Sequence, residues 1–212
     1  MLKTNLTHIL FISYWGTVLI YYLYDNYIYH QNIWNQFKLQ PYHPNVWKCW
    51  LYDTYSSFIN TLVTYCCFYL LPIHYTSYYL SLYDIYKFIC YIICVDLYFY
   101  TTHRYCHKNL WLYRRIHKHH HTTHITVASS GFSASIIEHL IINIGSVYIP
   151  HLFIRGSYQL LCIIVCIGGY SSASSHSGYK ISYSHNIHHQ LLQYNYGNGL
   201  YIWDRIFGTF KP

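Results

Sequence analysis

Histidines in two short stretches are the residues of this chain best suited to chemistry. Seven of the seventeen histidines lie between residues 103 and 124, and four more lie between residues 176 and 189. Their spacing says more than their number, because His103 and His107 are four residues apart and two separate stretches read H-x-x-H-H. Residues three and four apart share one face of a helix, and imidazole is a good ligand for iron, copper and zinc. The two stretches therefore predict a metal site.

The number of imidazoles indicates two metal ions. One ion takes about four to six ligands, whereas these motifs supply more than that. Each motif is expected to aim its side chains at one point. By the same argument from helical faces, His119 is expected to point away from His117 and His120, and His124 lies beyond the H-x-x-H-H motif of residues 117–121. Neither is therefore a candidate ligand. The candidate ligands defined by spacing alone are His103, His107, His117, His120, His121, His185, His188 and His189.

Five apolar segments would have to position these histidines. The first three are long enough for the ~20 residues of a membrane-spanning helix, and the last two could form a tilted pair or a re-entrant hairpin. Either arrangement returns the chain to the side that holds the first histidines. The polar stretch Asp25–Asp53, which contains Pro41 and Pro44, is predicted to be mostly a loop. The segments are Leu6–Tyr24, Tyr55–Leu80, Leu82–Thr102, Ile136–Ile154 and Tyr158–Tyr170.

The composition favours a membrane protein. Charged residues make up 9% of the chain and aromatic residues 21%, with 29 tyrosines, so lipid suits its surface better than water. The net charge of +7 does not indicate nucleic-acid binding, because the cations are clustered beside an apolar segment, as on the cytoplasmic side of membrane helices. The eight cysteines show no zinc-module spacing and are expected to be small buried side chains. The clustered cations are Arg104, Lys108, Arg114, Arg115 and Lys118.

At these residues the chain resembles the fatty acid hydroxylase/sterol desaturase superfamily. Residues 96–107 match the family pattern D-x-Y-x-Y-x-x-H-R-x-x-H, and residues 112–121 match L-Y-x-x-x-H-K-x-H-H. His176-Ser-Gly-Tyr179 matches H-x-G-Y, and the third histidine motif spans residues 185–189. Tail motifs at Asn195-Tyr-Gly197 and Trp203–Thr209 match as well. The resemblance covers about Asp96 to Phe210.

The resemblance implies an all-α integral membrane enzyme of the endoplasmic reticulum, multi-pass, with its active site facing the cytosol. It implies about four transmembrane helices under a cytosolic, histidine-rich di-metal cap, with residues 1–95 as the N-terminal transmembrane region and residues 96–212 as the catalytic region. Family members use two iron ions, O2 and electrons from NAD(P)H, here expected through a separate cytochrome b5 or reductase, to hydroxylate or desaturate a lipid. The implied ligands are the eight histidines above and His176.

Four further residues are expected to support this site. By the resemblance, Asp96 and Arg104 would orient histidines through hydrogen bonds. Glu138 and Asn195 are the other two residues expected to support the site. His139, which follows Glu138, is undecided. The remaining histidines are expected to be unrelated to the site; they are His8, His30, His43, His74 and His151.

The exact substrate stays open between two subfamilies. The spacing from the third histidine motif to Asn195 resembles that of sterol C5-desaturases (lathosterol oxidases), which makes sterol C5-desaturation the leading prediction. The His-Pro pair that precedes the acidic residue in those enzymes is replaced here by Ser135 and Ile136. Sphingoid-base C4-hydroxylases also lack that pair, so a sphingoid-base or fatty acyl hydroxylase is the alternative. A metal transporter and a non-catalytic relative are the remaining classes, and a transporter would need ligands inside its spans.

Overall fold

The protein folds into a bundle of long helices capped by short ones. The computed structural model describes residues 2–122 and 125–212, and no strand occurs among them. The helices are α1 (Leu2–His30), α2 (Trp34–Phe37), α3 (Val46–Leu70), α4 (Leu82–Lys108), α5 (Leu110–Leu112), α6 (Ile136–Glu138), α7 (Gly145–Phe153), α8 (Tyr158–Ser175), α9 (Tyr183–Leu191) and α10 (Ile202–Ile206). Residues Tyr113–His117 and His139–Ile144 form π-helical turns, and Ala128–Phe132 and Lys180–Ser182 form 3₁₀ turns.

A buried carboxylate aligns two of the long helices. Asp84, in the first turn of α4, accepts hydrogen bonds from the backbone N–H of Ser81 (2.8 Å) and from the backbone N–H of Ser157 (2.9 Å), which precedes α8. Both helices therefore begin with N–H groups satisfied by the same side chain. Because α4 and α8 start together and run in the same direction, their carboxyl ends, which carry histidines, reach the same end of the bundle.

The first helix joins the same end through a buried ion pair. Lys38, after α2, lies 2.7 Å from Asp25 near the end of α1, and it also donates to the carbonyl of Ser177 (2.5 Å). The Tyr179 hydroxyl donates to Asp25 (2.5 Å). Removing one partner of such a pair leaves an uncompensated buried charge. The pair therefore fixes the backbone directly after His176 against α1.

Helix α3 runs antiparallel to α1 and, together with it, holds the buried segment that contains Ser129, Phe132 and Ala134. The hydroxyl of Tyr14 on α1 donates to the carbonyl of Ser129 (2.9 Å), and Ser57 on α3 donates to the same carbonyl (2.5 Å). Asn60, also on α3, donates to the carbonyls of Phe132 and Ala134. These bonds satisfy carbonyls of a buried, irregular segment, and they hold it between the histidines and the long helices.

Three helices are long and apolar enough to cross a membrane by length and composition: Asn5–His30, Ile136–Phe153 and Tyr158–Ser175. Much of the outer surface is apolar, with Ile12 70% and Leu70 76% exposed. Contiguous exposed apolar surface of this kind marks contact with lipid or a partner. These features indicate a helical membrane protein with three candidate spans, and the count of four spans stays a prediction.

Two boundary predictions were wrong. The second apolar segment was predicted to continue to Leu80, but α3 ends at Leu70. Pro72 lies two residues further on, and the residue before a proline is disfavoured in helical geometry. The stretch Asp25–Asp53 was predicted to be mostly loop, yet α1 continues to His30 and α3 begins at Val46. Its polar residues include the buried Asp25, whose burial against Lys38 the composition alone does not reveal.

Candidate metal centre

Nine histidines converge at the end of the bundle in two adjoining groups. Within each group, one ring nitrogen of every histidine lies within 4.8 Å of those of all other members. Ligand atoms about 2.1 Å from a common ion lie about 3 Å apart when adjacent and about 4.2 Å apart when opposite. Both groups therefore have the spacing of ligands that could share an ion. The first group is His103, His107, His117, His121 and His188, and the second is His120, His176, His185 and His189.

The first group is arranged around His117. Its Nε2 lies 3.1 Å from Nε2 of His103, 2.8 Å from Nε2 of His107 and 2.9 Å from Nε2 of His121. Two neutral imidazoles can share only one proton in such a contact, so three contacts at one nitrogen are not satisfied by hydrogen bonding alone. Convergence of Nε2 atoms on one point is what a bound cation would require.

The second group repeats this arrangement with fewer members. Nε2 of His176 lies 3.2 Å from Nε2 of His120 and 2.9 Å from Nε2 of His185. The two groups adjoin, since the ring centroids of His121 and His189 are 4.6 Å apart. An ion held by one group would therefore lie next to an ion held by the other.

Backbone carbonyls anchor the outer nitrogens of four of these rings. Nδ1 of His103 donates to the Tyr196 carbonyl (2.7 Å), and Nδ1 of His188 donates to the Tyr194 carbonyl (2.8 Å). In the second group, Nδ1 of His120 donates to the Ser133 carbonyl (3.0 Å) and Nδ1 of His176 to the Ser172 carbonyl (2.9 Å). A proton held on Nδ1 leaves the Nε2 lone pair free for a metal, and this pattern is characteristic of ligating histidines.

A carboxylate performs the same task for the central histidine. Glu138 Oε1 lies 2.7 Å from Nδ1 of His117, and both side chains are buried. A carboxylate partner fixes the ring orientation and makes the imidazole a stronger ligand. Ser135 caps the helix that carries Glu138, because its hydroxyl accepts from the Glu138 N–H (3.2 Å). Ser135, which replaces the histidine expected from the resemblance, is therefore a helix cap here.

Each H-x-x-H-H motif divides between the two groups, which corrects the expectation that each motif aims at one point. His117 and His121 belong to the first group, while His120 belongs to the second. In the third motif, His185 and His189 belong to the second group and His188 to the first. Residues four apart lie on one helical face, whereas the neighbouring residue is rotated by about 100°. One motif therefore reaches two adjacent points.

Burial keeps these imidazoles in the neutral form that binds metals. It lowers the pKa of His120 to about 4 and that of His176 to about 3, because the charged ring would lose its hydration. The pKa of His188 is lowered well below its usual value by the same cause, and by the neighbouring His107. At neutral pH the lone pairs are therefore available without a deprotonation cost.

The residues fit a pair of transition-metal ions. Nε2 of His188 and Nε2 of His189 are buried and have no hydrogen-bond partner among the described residues. A buried polar atom without a partner is costly unless something else binds it. All nine donors are imidazole nitrogens, which suits iron, copper or zinc and does not suit calcium or magnesium.

Asp96, Arg104 and Asn195 lie beside this site, but their hydrogen bonds go elsewhere. Asp96 accepts from the backbone N–H of Ile202 (2.9 Å), and Arg104 donates to the Tyr100 hydroxyl (2.8 Å). The expectation that Asp96 and Arg104 bond to histidines was therefore wrong. Asp96 instead holds the C-terminal segment, whose carbonyls orient His103 and His188.

Asn195 organises that C-terminal segment. Its side chain donates to the carbonyls of Ser184 (2.9 Å) and Lys211 (2.8 Å) and accepts from the Lys211 N–H (2.7 Å). Its φ of 56° is left-handed, a conformation that asparagine tolerates better than most residues. This turn points the carbonyls on either side of Asn195 at His188 and His103.

Sequence reasoning missed the carbonyl acceptors and one further carboxylate. Asp204 accepts from the backbone N–H groups of Tyr196 (2.9 Å) and Gly197 (2.6 Å), and burial raises its pKa. The tail motif that contains Asp204 was visible in the sequence, but a motif does not show which backbone group it holds. The four carbonyls have no sequence signature at all.

The other histidines lie outside both groups where the structure describes them. His119 faces Tyr52 and Ser56 of α3, as expected from its helical face. His139 is buried and bonds to Thr64 (2.7 Å) and Asn143 (3.1 Å). His124 lies outside the described residues.

Comparison with known proteins defines the family. The model of the fatty acid hydroxylase family matches residues 88–209, and the chain belongs to that family. This confirms the resemblance that the histidine motifs carry. No solved structure was found to match the chain.

Three curated relatives illustrate the range of the family. A very-long-chain aldehyde decarbonylase of Oryza sativa is 28% identical over 60% of this chain and 55% of its own. A sphinganine C4-monooxygenase of Arabidopsis thaliana is 27% identical over 59% and 54%, and human lathosterol oxidase is 25% identical over 58% and 44%. The match thus spans about half the length of each relative. These names support an oxidoreductase and leave its substrate undetermined.

Proposed function

We propose that this protein is a membrane-bound, O2-dependent oxidoreductase that hydroxylates or desaturates a lipid at a site for two iron ions. The observation that carries the proposal is the convergence of nine buried imidazoles in two adjoining groups, several with Nδ1 anchored and Nε2 directed inward. The names of two relatives, a monooxygenase and an oxidase, support chemistry with O2, and imidazole donors suit iron.

The residues have distinct tasks in this proposal. The five histidines of the first group would hold one ion and the four of the second group the other. Two iron ions bound there would supply the reduction of O2 and the attack on an unactivated C–H bond. Glu138 would hold the Nδ1 proton of His117, and the carbonyls of Tyr194 and Tyr196 would do the same for His188 and His103. Asp96, Arg104 and Asn195 would act through the segments they bind.

The side of the membrane is proposed from the charge pattern, and the organelle and the redox partner are proposed from the resemblance to the family. The clustered cations beside the histidine end favour the cytosolic face, and we place the protein in the endoplasmic reticulum membrane. Electrons would come from NAD(P)H through cytochrome b5 or a reductase. Binding of nucleic acid is not part of the proposal, because the basic residues suit anionic headgroups equally well.

Two substrates are specific candidates. Sterol C5-desaturation rests on the spacing of the tail motif and on the similarity to lathosterol oxidase. Hydroxylation of a sphingoid base or acyl chain is favoured by Ser135, which caps a helix where the sterol enzymes have a histidine, and by the similarity to sphinganine C4-monooxygenases.

Lipid analysis of cells with and without the gene tests the proposal. Complementation should succeed with the wild type and with His119→Ala, whose side chain lies outside both groups, and should fail with His188→Ala. Loss of a C5 double bond in sterols would identify the desaturase, and loss of hydroxylated sphingoid bases or acyl chains would identify the hydroxylase. Unchanged lipids in the deletion strain would contradict the proposed function.

A further inference from the structure

The segment of residues 38–40, which follows α2, bonds to the backbone on the C-terminal side of His176. Nζ of Lys38 donates to the carbonyl of Ser177 (2.5 Å), and the backbone N–H of Leu39 donates to the carbonyl of Gly178 (2.8 Å). Both carbonyls belong to the turn directly after His176, a member of the second group. A distant part of the chain therefore holds this turn by two adjacent bonds.

The same segment reaches the helix that carries other histidines of that group. Nε2 of Gln40 donates to Oδ1 of Asn186 on α9 (3.0 Å), and Asn186 directly follows His185. Nε2 of His185 lies 2.9 Å from Nε2 of His176. The 38–40 segment therefore contacts the chain beside both members of this histidine pair.

Among the described residues, His185 lacks the carbonyl anchor that His120 and His176 have. Nδ1 of His185 is buried without a hydrogen-bond partner, whereas Nδ1 of His120 and Nδ1 of His176 bond to backbone carbonyls. A ring without such an outer bond is oriented by its packing and by the position of its helix. The bond from Gln40 to Asn186 is thus a means of placing the ring of His185.

The ammonium group of Lys38 is held from several sides. Nζ lies 2.7 Å from Oδ1 of Asp25 and donates to the Ser177 carbonyl. It also lies 4.1 Å from the ring centroid of Tyr179 and 5.0 Å from that of Trp34. The side chains of Lys38 and Asp25 are only 3% and 0% exposed, so water does not compete for these contacts. The position of the ammonium group, and of the carbonyl it binds, is therefore fixed relative to α1.

The turn after His176 is shaped to lie on this ammonium group. Gly178 has a φ of 76°, which glycine adopts without strain. A Cβ atom added to Gly178 would lie 3.5 Å from both Cδ and Nζ of Lys38. The hydroxyl of Tyr179 donates to Asp25 (2.5 Å). The turn therefore contacts both members of the ion pair.

The ion pair suits positioning better than stabilisation. The loss of hydration of two buried charges offsets most of their attraction, so replacement of a buried pair by uncharged side chains is often neutral for stability. The pair does supply direction, because the ammonium group donates both to Asp25 and to the Ser177 carbonyl. Removal of the pair should therefore loosen the turn more than it lowers the stability of the whole fold.

From these contacts we infer that the 38–40 segment is a positioning element for the second histidine group. It sets the places of His176 and His185 and thereby the affinity for the ion that this group holds. The inference rests on the proposed function, in which that ion is iron. The first group is expected to be unaffected, because His188, which shares α9 with His185, is anchored by the Tyr194 carbonyl, and His117 is anchored by Glu138.

Three variants separate positioning from folding. The double variant combines Asp25→Asn with Lys38→Met, so that no unpaired charge stays buried. Gln40→Leu removes the bond to Asn186 and leaves the ion pair in place. Asp53→Asn changes a buried carboxylate that belongs to neither group, and it is the control for a general loss of stability.

The first measurement is titration of the metal-free protein with Fe²⁺ under anaerobic conditions. The wild type and Asp53→Asn should bind two ions with the same affinities. The double variant and Gln40→Leu should each keep one site unchanged and weaken the other about 10- to 100-fold, the range typical for loss of a group that supports a metal ligand.

Combination with the loss of one histidine identifies the affected ion. His189 belongs to the second group and His121 to the first. Addition of His189→Ala to the double variant should weaken the remaining site no further, because the same ion is lost twice. Addition of His121→Ala should leave no tight site, because the two changes then act on different ions.

Hydrogen exchange of the metal-free protein tests the positioning without iron. In the double variant, the backbone amides of residues 176–182 should exchange about tenfold faster or more, the factor expected for loss of a hydrogen bond from a charged donor. The amides of residues 113–121, which carry ligands of the first group, should exchange at the wild-type rate.

The outcomes that overturn the inference are distinct from those that refute the proposed function. Wild-type affinity at both sites in the double variant and in Gln40→Leu would overturn the inference, as would unchanged exchange at residues 176–182. Equal weakening of both sites would also overturn it, since that result shows general damage to the fold. A wild type that binds no iron would refute the proposed function, and the exchange rates would then decide whether the segment holds the turn.

Discussion

Substitution of Glu138 tests whether this carboxylate strengthens metal binding at the first group of histidines. Glu138 is the only glutamate in the chain, and its Oε1 lies 2.7 Å from Nδ1 of His117, the ring at the centre of the first group. Glu138→Gln preserves the shape and can still accept the bond, but it removes the negative charge. Loss of such a partner typically weakens metal binding 10- to 100-fold, which corresponds to about 1.4 to 2.7 kcal/mol.

The weakening should be confined to one of the two ions. Among the described residues Glu138 bonds to His117 of the first group, whereas His120 and His176 of the second group are anchored by the carbonyls of Ser133 and Ser172. Titration of the metal-free protein with Fe²⁺ under anaerobic conditions should then give two sites in the wild type. Glu138→Gln should give one unchanged site and one 10- to 100-fold weaker site.

A buried carboxylate away from the histidines supplies the control. Asp53 accepts a hydrogen bond from the Ser130 hydroxyl (2.6 Å) and belongs to neither group. Asp53→Asn should leave both iron affinities unchanged even if it lowers the melting temperature. Equal weakening of both sites in Glu138→Gln, or the same loss in Asp53→Asn, would refute the assignment of Glu138 to His117.

Three further predictions concern pH, the tail and the cap. The metal-free protein should have its full stability above about pH 6.5 and lose stability as the pH falls toward 4. The reason is that the unfolded chain takes up protons at the ordinary histidine pKa of 6.5, whereas in the folded protein the pKa of His120 is about 4 and that of His176 about 3. Melting temperatures measured across this pH range test the prediction, and a melting temperature that does not change with pH would contradict neutral buried imidazoles. Asn195→Ala should destabilise the protein by about 3 kcal/mol, because it loses three hydrogen bonds and places alanine in a left-handed backbone conformation. Asn195→Gly should destabilise it by about 1 kcal/mol less than Asn195→Ala, because glycine tolerates that conformation. Equal melting temperatures for the two variants would contradict the role of the positive φ. Ser135→Ala should lower the free energy of unfolding by about 1 kcal/mol, because a helix cap is lost, and the variant should still bind both iron ions. Loss of an ion would show that Ser135 does more than cap the helix.

Eight of the nine histidines that converge in the two groups were predictable from helical spacing, because such spacing is a local property, and His176 was predicted by the resemblance. His103 and His107, four apart on α4, did reach one group together. Division of each H-x-x-H-H motif between two groups was not predictable, since it depends on where neighbouring elements place the second point. The π-helical turn Tyr113–His117, which precedes His120, is one such tertiary feature.

The long helices were predictable in number and less so in extent. Apolar runs identified α1, α3, α4 and α8, but the sequence pattern did not show that α3 stops at Leu70. It also gave no indication that Lys38 and Asp25 form a buried ion pair, because burial of charge depends on contacts between residues distant in the chain. The same limit applies to the carbonyls of Tyr194 and Tyr196, which any residue could provide.

The central claim is that two groups of histidines hold two ions, and iron stoichiometry tests it most directly. The variants are one histidine from each group, His121→Ala and His189→Ala, with His119→Ala as the control outside both. The purified wild type and His119→Ala are expected to bind two iron ions per chain, and each of the other two variants to lose one ion and keep the other. One ion or none in the wild type, or loss of iron in His119→Ala alone, would contradict the account.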